Sequence, residues 1–158
     1  MERLRFNRLG IEIEINTPTG EANLFEINNL FEIKETKTCI KISCEGKKVA
    51  TILPDSKIEI RDFITCYKGR IVVFGNAFVE AWGMSRVFAK DKTRVVAYQG
   101  SEVRAGGRTK VRALDNSRVV AGGRAEVFLG GESIGYKWPR SRAKMNVLDN
   151  RVKVFNLN

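Results

Sequence analysis

Few side chains in this sequence are of the kinds that do chemistry: three cysteines, some spaced glutamates, three Gly-Gly dipeptides, and 28 Lys and Arg. Histidine is absent, which removes Ser-His-Asp and Cys-His nucleophiles, His-ligated zinc and any imidazole pH switch. Cys39, Cys44 and Cys66 lack metal-ligand spacing and a fourth partner, and three is too few for a disulfide framework. Cys39 and Cys44 fall on opposite faces of a strand, a poor geometry for a bond, so reduced thiols in small buried slots are expected. Gly106-Gly107, Gly122-Gly123 and Gly130-Gly131 match no phosphate-loop spacing and open no helix. Asp91 and Asp115 are too sparse for a calcium ladder. Glu12 and Glu14 share a strand face, and Glu102 and Glu126 pair only if their strands neighbour. No catalytic residue, metal or cofactor is therefore expected, and the chain reads as a binding protein, not an enzyme.

The basic excess is what remains. The net charge is +10 over 158 residues, and it is unevenly placed. Residues 1–68 hold 11 basic and 11 acidic side chains, whereas residues 69–158 hold 17 and 7. The C-terminal half is thus expected to meet an acidic partner, protein or nucleic acid.

Those charges sit on a repeat. Ile71, Val79, Val87, Val95, Val103, Val111, Val119 and Val127 follow one another at intervals of eight. Val73, Ala81, Ala89, Ala97, Ala105, Ala113, Ala121 and Leu129 come two positions later, and Ser, Thr, Ala or Gly two positions earlier. Gly75, Gly83, Asp91, Gln99, Gly107, Asp115, Gly123 and Gly131 complete each octad. Alternation at period two makes every octad a short strand with small residues inward, and the Gly/Asp slot turns the chain. A thin Val/Ala/Thr core suits a flattened β-solenoid with two octads per coil, eight octads giving about four coils. An antiparallel meander would leave one apolar face uncovered.

The flanks read differently. In residues 1–68, Ile11/Ile13/Ile15, Phe25/Ile27, Phe31/Ile33, Ile40/Ile42/Cys44 and Ile58/Ile60 alternate between turn signals. This region is expected to be β-rich and to cap the stack, either as a small sandwich or as degenerate coils. After Gly131 the octad lapses, and residues 133–158 read as a basic tail, Tyr136 to Lys144, with a final strand near Arg151–Phe155. No helical periodicity, secretory signal or membrane-length apolar stretch is present, so a cytoplasmic or virion location without membrane contact is expected.

In the octads, the outward position before the central residue holds Arg86, Arg94, Lys110 and Arg118, and the one after it Arg104 and Arg112. Arg108 and Arg124 follow turn glycines, and the tail adds Lys137, Trp138, Arg140, Arg142 and Lys144. Cations interleaved with rings suit phosphate contact and base stacking, and these thirteen residues are the candidate partner-binding set. Strand surfaces must also be polar, and exposed rings also serve self-association.

The run Gly75-Asn76-Ala77-Phe78-Val79-Glu80-Ala81-Trp82-Gly83, with Ser85-Arg86-Val87-Phe88-Ala89 and Ser117-Arg118-Val119-Val120-Ala121-Gly122, resembles octapeptide repeats of bacteriophage and prophage proteins. The resemblance covers residues 69–132 and says nothing of residues 1–68. Such repeats often carry Asn-Ala or Ser-Ala before the valine, and this chain is more basic there. The resemblance implies a phage-related setting: a virion component, or an early protein that blocks a host factor. Action through the solenoid's outer faces, as a homo-oligomer, is the expected mode. Nucleic-acid binding through the Arg/Lys ladder is the alternative.

Overall fold

The computed structural model describes residues 2–6, 9–15, 32–44, 46–60 and 63–158, and these form a two-walled β-solenoid of six coils. The expected strand over Phe25/Ile27 lies outside the described residues, as does Phe31, while Ile33 falls in a strand, Glu32–Glu35, as expected. Sixteen strands appear and no helix among the described residues. The first seven are β1 (Glu2–Phe6), β2 (Ile11–Ile15), β3 (Glu32–Glu35), β4 (Ile40–Cys44), β5 (Lys47–Ile52), β6 (Lys57–Ile60) and β7 (Ile64–Val73). Then come β8 (Phe78–Ala89), β9 (Arg94–Ala97), β10 (Glu102–Ala105), β11 (Lys110–Ala113), β12 (Arg118–Ala121) and β13 (Glu126–Leu129). The last are β14 (Ile134–Lys137), β15 (Lys144–Val147) and β16 (Lys153–Asn156).

Octads alternate between the two walls, as small inward residues dictate. The first wall runs β1, β2, β6, the start of β7, the start of β8, then β9, β11, β13 and β15. The second runs β3, β4, β5, the end of β7, the end of β8, then β10, β12, β14 and β16. From β7 onward each strand pairs in parallel with the strand one coil later, in the register that stacks valine on valine: Val87, Val103 and Val119 on the second wall, Val79, Val95, Val111 and Val127 on the first. These valines and their alanine companions are at most 5% exposed. The N-terminal strands pair antiparallel except β2 with β6, and extend both walls with isoleucine: Ile11, Ile13 and Ile58 against Ile40, Ile42 and Ile52.

Six coils replace the four that eight octads alone provide, because the walls run on past the repeat at both ends. Residues 64–66 complete the first coil, and residues read as tail supply β14, β15 and β16. The octad lapses at residue 135 for a volumetric reason. Leu129 stands where six of the other seven octads have alanine, and a Cβ built on Gly135 would lie 2.6 Å from its Cδ1. A larger residue on one wall is matched by a missing side chain on the other.

The corners are equally regular. All eight residues of the Gly/Asp slot have positive φ, between 52° and 66°. They form two columns, Gly75–Asp91–Gly107–Gly123 down one corner and Gly83–Gln99–Asp115–Gly131 down the other. Where aspartate takes this conformation its side chain supports the coil before: Asp91 Oδ2 accepts from Gly75 N at 2.9 Å, Asp115 Oδ2 from Gln99 N at 3.0 Å. The inward Ser/Thr slot closes several turns, with Ser101, Thr109 and Ser117 hydroxyls donating to Tyr98, Gly106 and Leu114 carbonyls at 2.6–2.8 Å. Those hydroxyls are structural, not chemical.

Candidate polyanion-binding ladder

Stacking converts a sequence interval of sixteen into neighbouring side chains about 4.8 Å apart along the coil axis. At the Asp91 corner a cationic residue, directly after Asp91, Gly107 and Gly123 and two places after Arg140, donates its backbone N–H to the coil before. Lys92 bonds Gly75 O at 3.0 Å, and Arg108, Arg124 and Arg142 bond Asp91 O, Gly107 O and Gly123 O, each at 2.8 Å. Four cationic side chains thus leave four anchored backbone positions in one column. Two residues on, at the margin of the first wall, stands a second column: Arg94, Lys110, Glu126 and Lys144, held in register by the β9–β11–β13–β15 pairing. Arg112 lies one place further out on β11.

Between these columns lies a cleft of about 410 Å³ lined by Arg108, Lys110, Arg124, Glu126, Arg142 and Lys144. Five cations face one carboxylate. No ion pair involves these cations among the described residues, whereas Arg86 pairs with Glu102 at 3.4 Å on the second wall and Arg151 with Glu132 and Asp149 at 3.5 and 3.4 Å. At the Asp149 turn the Arg151 backbone N–H and guanidinium hold the carboxyl below its ordinary value. Stacked like charges repel, modestly in water, and the ladder carries that cost with only Glu126 interposed.

The thirteen candidates therefore divide. Arg94, Arg108, Lys110, Arg112, Arg124, Arg142 and Lys144 come together on the first wall and its corner. Trp138 and Arg140 stand at the same corner, Arg140 taking the positive-φ position of the fifth turn. Arg86, Arg104 and Arg118 are on the opposite wall, where Arg104 lies over the Phe88 ring at 5.5 Å. Lys137 occupies the inward slot that holds Ala121 one coil earlier, and stands apart from the ladder. Lys92 was missed by the strand-centred reading, although its spacing of sixteen from Arg108 is visible in the sequence.

At its N-terminal end the first wall carries glutamates among cations such as Arg5 and Lys57. Outward positions of β2, β6 and early β8 hold Glu12, Glu14, Glu59 and Glu80, and Tyr67 OH donates to Glu59 Oε2 at 3.1 Å. Burial, and then Glu59, Glu14 and Glu80, raise the Tyr67 phenol above its ordinary value. The condition for pairing Glu102 with Glu126, neighbouring strands, does not hold, since β10 and β13 belong to opposite walls. Among the described residues no three His, Cys, Asp or Glu group as a metal site, and no helix is long and apolar enough to cross a membrane. Neither a family model, a curated protein nor a solved structure matches the chain.

Proposed function

We propose that this protein is a non-enzymatic binding module that grips an extended polyanion, nucleic acid, along the two basic columns of the Asp91 corner. One observation carries this reading: five cations without ion-pair partners line a single cleft, each based on the hydrogen-bonded stack of a rigid solenoid. Lysine and arginine placed only for solubility need not align, and on the opposite wall Arg86 is paired with Glu102. A linear array of cations at a fixed repeat suits a linear array of phosphates, whose bound counterions are released on contact. Stacked lysines and arginines meet phosphates, so contact falls on the backbone, with little base reading.

The test is fluorescence anisotropy with labelled RNA and DNA over a salt series. Replacing Arg108, Arg124 and Arg142 together by Ser is expected to flatten the log–log salt slope for a single strand by about two, at roughly 0.7 per lost phosphate contact. Replacing Arg70, Arg86 and Arg118 on the second wall is expected to leave the slope unchanged. Equal effects of the two triples, or no binding at low salt, overturn the reading.

A further inference from the structure

Resting on the polyanion reading, we infer that the Asp91 corner ends in a platform for one unstacked base, so that the ligand is single-stranded nucleic acid. The turn between β14 and β15 is longer than its predecessors: Glu126 pairs with Lys144, eighteen residues on, where Lys110 pairs with Glu126 at sixteen. Trp138 stands in the regular register, sixteen after Gly122, with its backbone N–H donating to Ala121 O at 2.9 Å, and the added length follows it with Pro139 and the positive φ of Arg140. A Cβ built on Gly122 would stand 3.1 Å from Trp138 Cδ1, so a glycine there lets the indole come down onto the shelf. The side chain is nonetheless 52% exposed.

Other corner aromatics are already engaged. Trp82 stacks on Tyr98 with centroids 4.2 Å apart, and Phe74 lies under Lys90 at 5.6 Å. Among the described residues Trp138 has neither a ring nor a cation partner. The hollow beside it, about 540 Å³, shares Arg124 and Arg142 with the basic cleft. A strand whose phosphates lie on those two arginines has a base within reach of the indole, the pairing of cation and ring that single-strand binders use. A duplex keeps its bases inside the stack, and a sulfated sugar has no π-face.

Chain with Trp82→Phe keeps Trp138 as its single tryptophan and can be titrated with an oligothymidylate of about 20 nucleotides, a duplex of the same length, and heparin. Binding is read by anisotropy or competition, and stacking by tryptophan emission. Saturable quenching is expected with the oligothymidylate alone. Trp138→Ala is expected to weaken that ligand about 5- to 100-fold and the other two less than about 2-fold, with Trp138→Tyr restoring most of the loss. If all three bind but quenching is absent, or Trp138→Ala weakens them alike, the platform is wrong while the ladder stands. If none binds at low salt, both fall.

Discussion

At residue 135 the octad's valine is replaced by glycine because Leu129 has taken its volume, and this exchange can be measured. Gly135→Val alone is expected to overpack the core by roughly 1–3 kcal/mol. Leu129→Ala alone is expected to open a cavity costing about 2–4 kcal/mol. Together they recreate the ordinary octad, so the double variant should be more stable than the sum of the singles, and strict additivity in urea unfolding would show that the two side chains do not share space. Val103 and Arg104 probe the register itself. Val103 is 1% exposed while Arg104 is exposed, so Val103→Asp should cost at least about 4 kcal/mol and unfold the coil, whereas Arg104→Asp should fold. Equal tolerance in circular-dichroism melts would contradict the inward assignment. The cysteines follow the same logic: Cys66 is fully buried and Cys44 half-buried, both as free thiols. Burial pushes the Cys66 thiol above its ordinary 9.0. An unfolded chain gives up that proton first as pH rises past 9.0, so the stability this group contributes is full below that pH and fades as pH climbs to the folded value. Alkylation at neutral pH should label Cys44 quickly and Cys66 only on unfolding, which peptide mass spectrometry reads directly.

The corners are where element-scale stability is set. Asp115 holds φ at 54° and accepts from Gln99 N at 3.0 Å, so it supplies both a left-handed turn and a bond between coils. Asp115→Gly keeps the first and loses the second, for about 1 kcal/mol. Asp115→Ala loses both, for about 2 kcal/mol. Midpoints of denaturant unfolding in that order support the turn's dual role, and the reverse order refutes it. This corner was legible in the sequence: eight Gly, Asp or Gln residues at fixed spacing mark eight positive-φ positions, because few side chains accept that conformation. The two-walled stack was legible for the same reason, as only small inward residues let the walls approach. Strands β14 and β15 were not, although β16 falls where a final strand near Arg151–Phe155 was expected. Gly135 and Lys137 occupy inward slots that the octad fills with valine and alanine, and longer turns break the interval of eight. The ladder was half legible: two octads per coil already put Arg94 and Arg104 on different walls, but the interval of eighteen between Glu126 and Lys144 hid that Arg142 and Lys144 continue the two columns.

Over the whole molecule, parallel coils make stability a nearest-neighbour property, highest where a coil is covered on both sides. The sixth coil is covered on one: Val147, Leu148, Val154 and Phe155 are 40–55% exposed, and among the described residues β15 and β16 pair only with β13 and β14. Amide hydrogen exchange should therefore be slowest in β9 to β13 and fastest in β15 and β16. Uniform protection would mean that the stack unfolds as a single unit. Along the first wall glutamates stand outward on β2 and β6, beside Lys57, and cations outward on β9, β11 and β15, with Glu126 on β13, so a polyanion has the C-terminal end of this wall to sit on. The most direct measurement is lysine acylation read by mass spectrometry, with and without saturating single-stranded DNA at low salt. Lys92, Lys110 and Lys144 should be protected, while Lys41 and Lys153 on the second wall react as in the free protein. Protection spread evenly over all five, or confined to the second wall, would contradict a ligand held along the Asp91 corner.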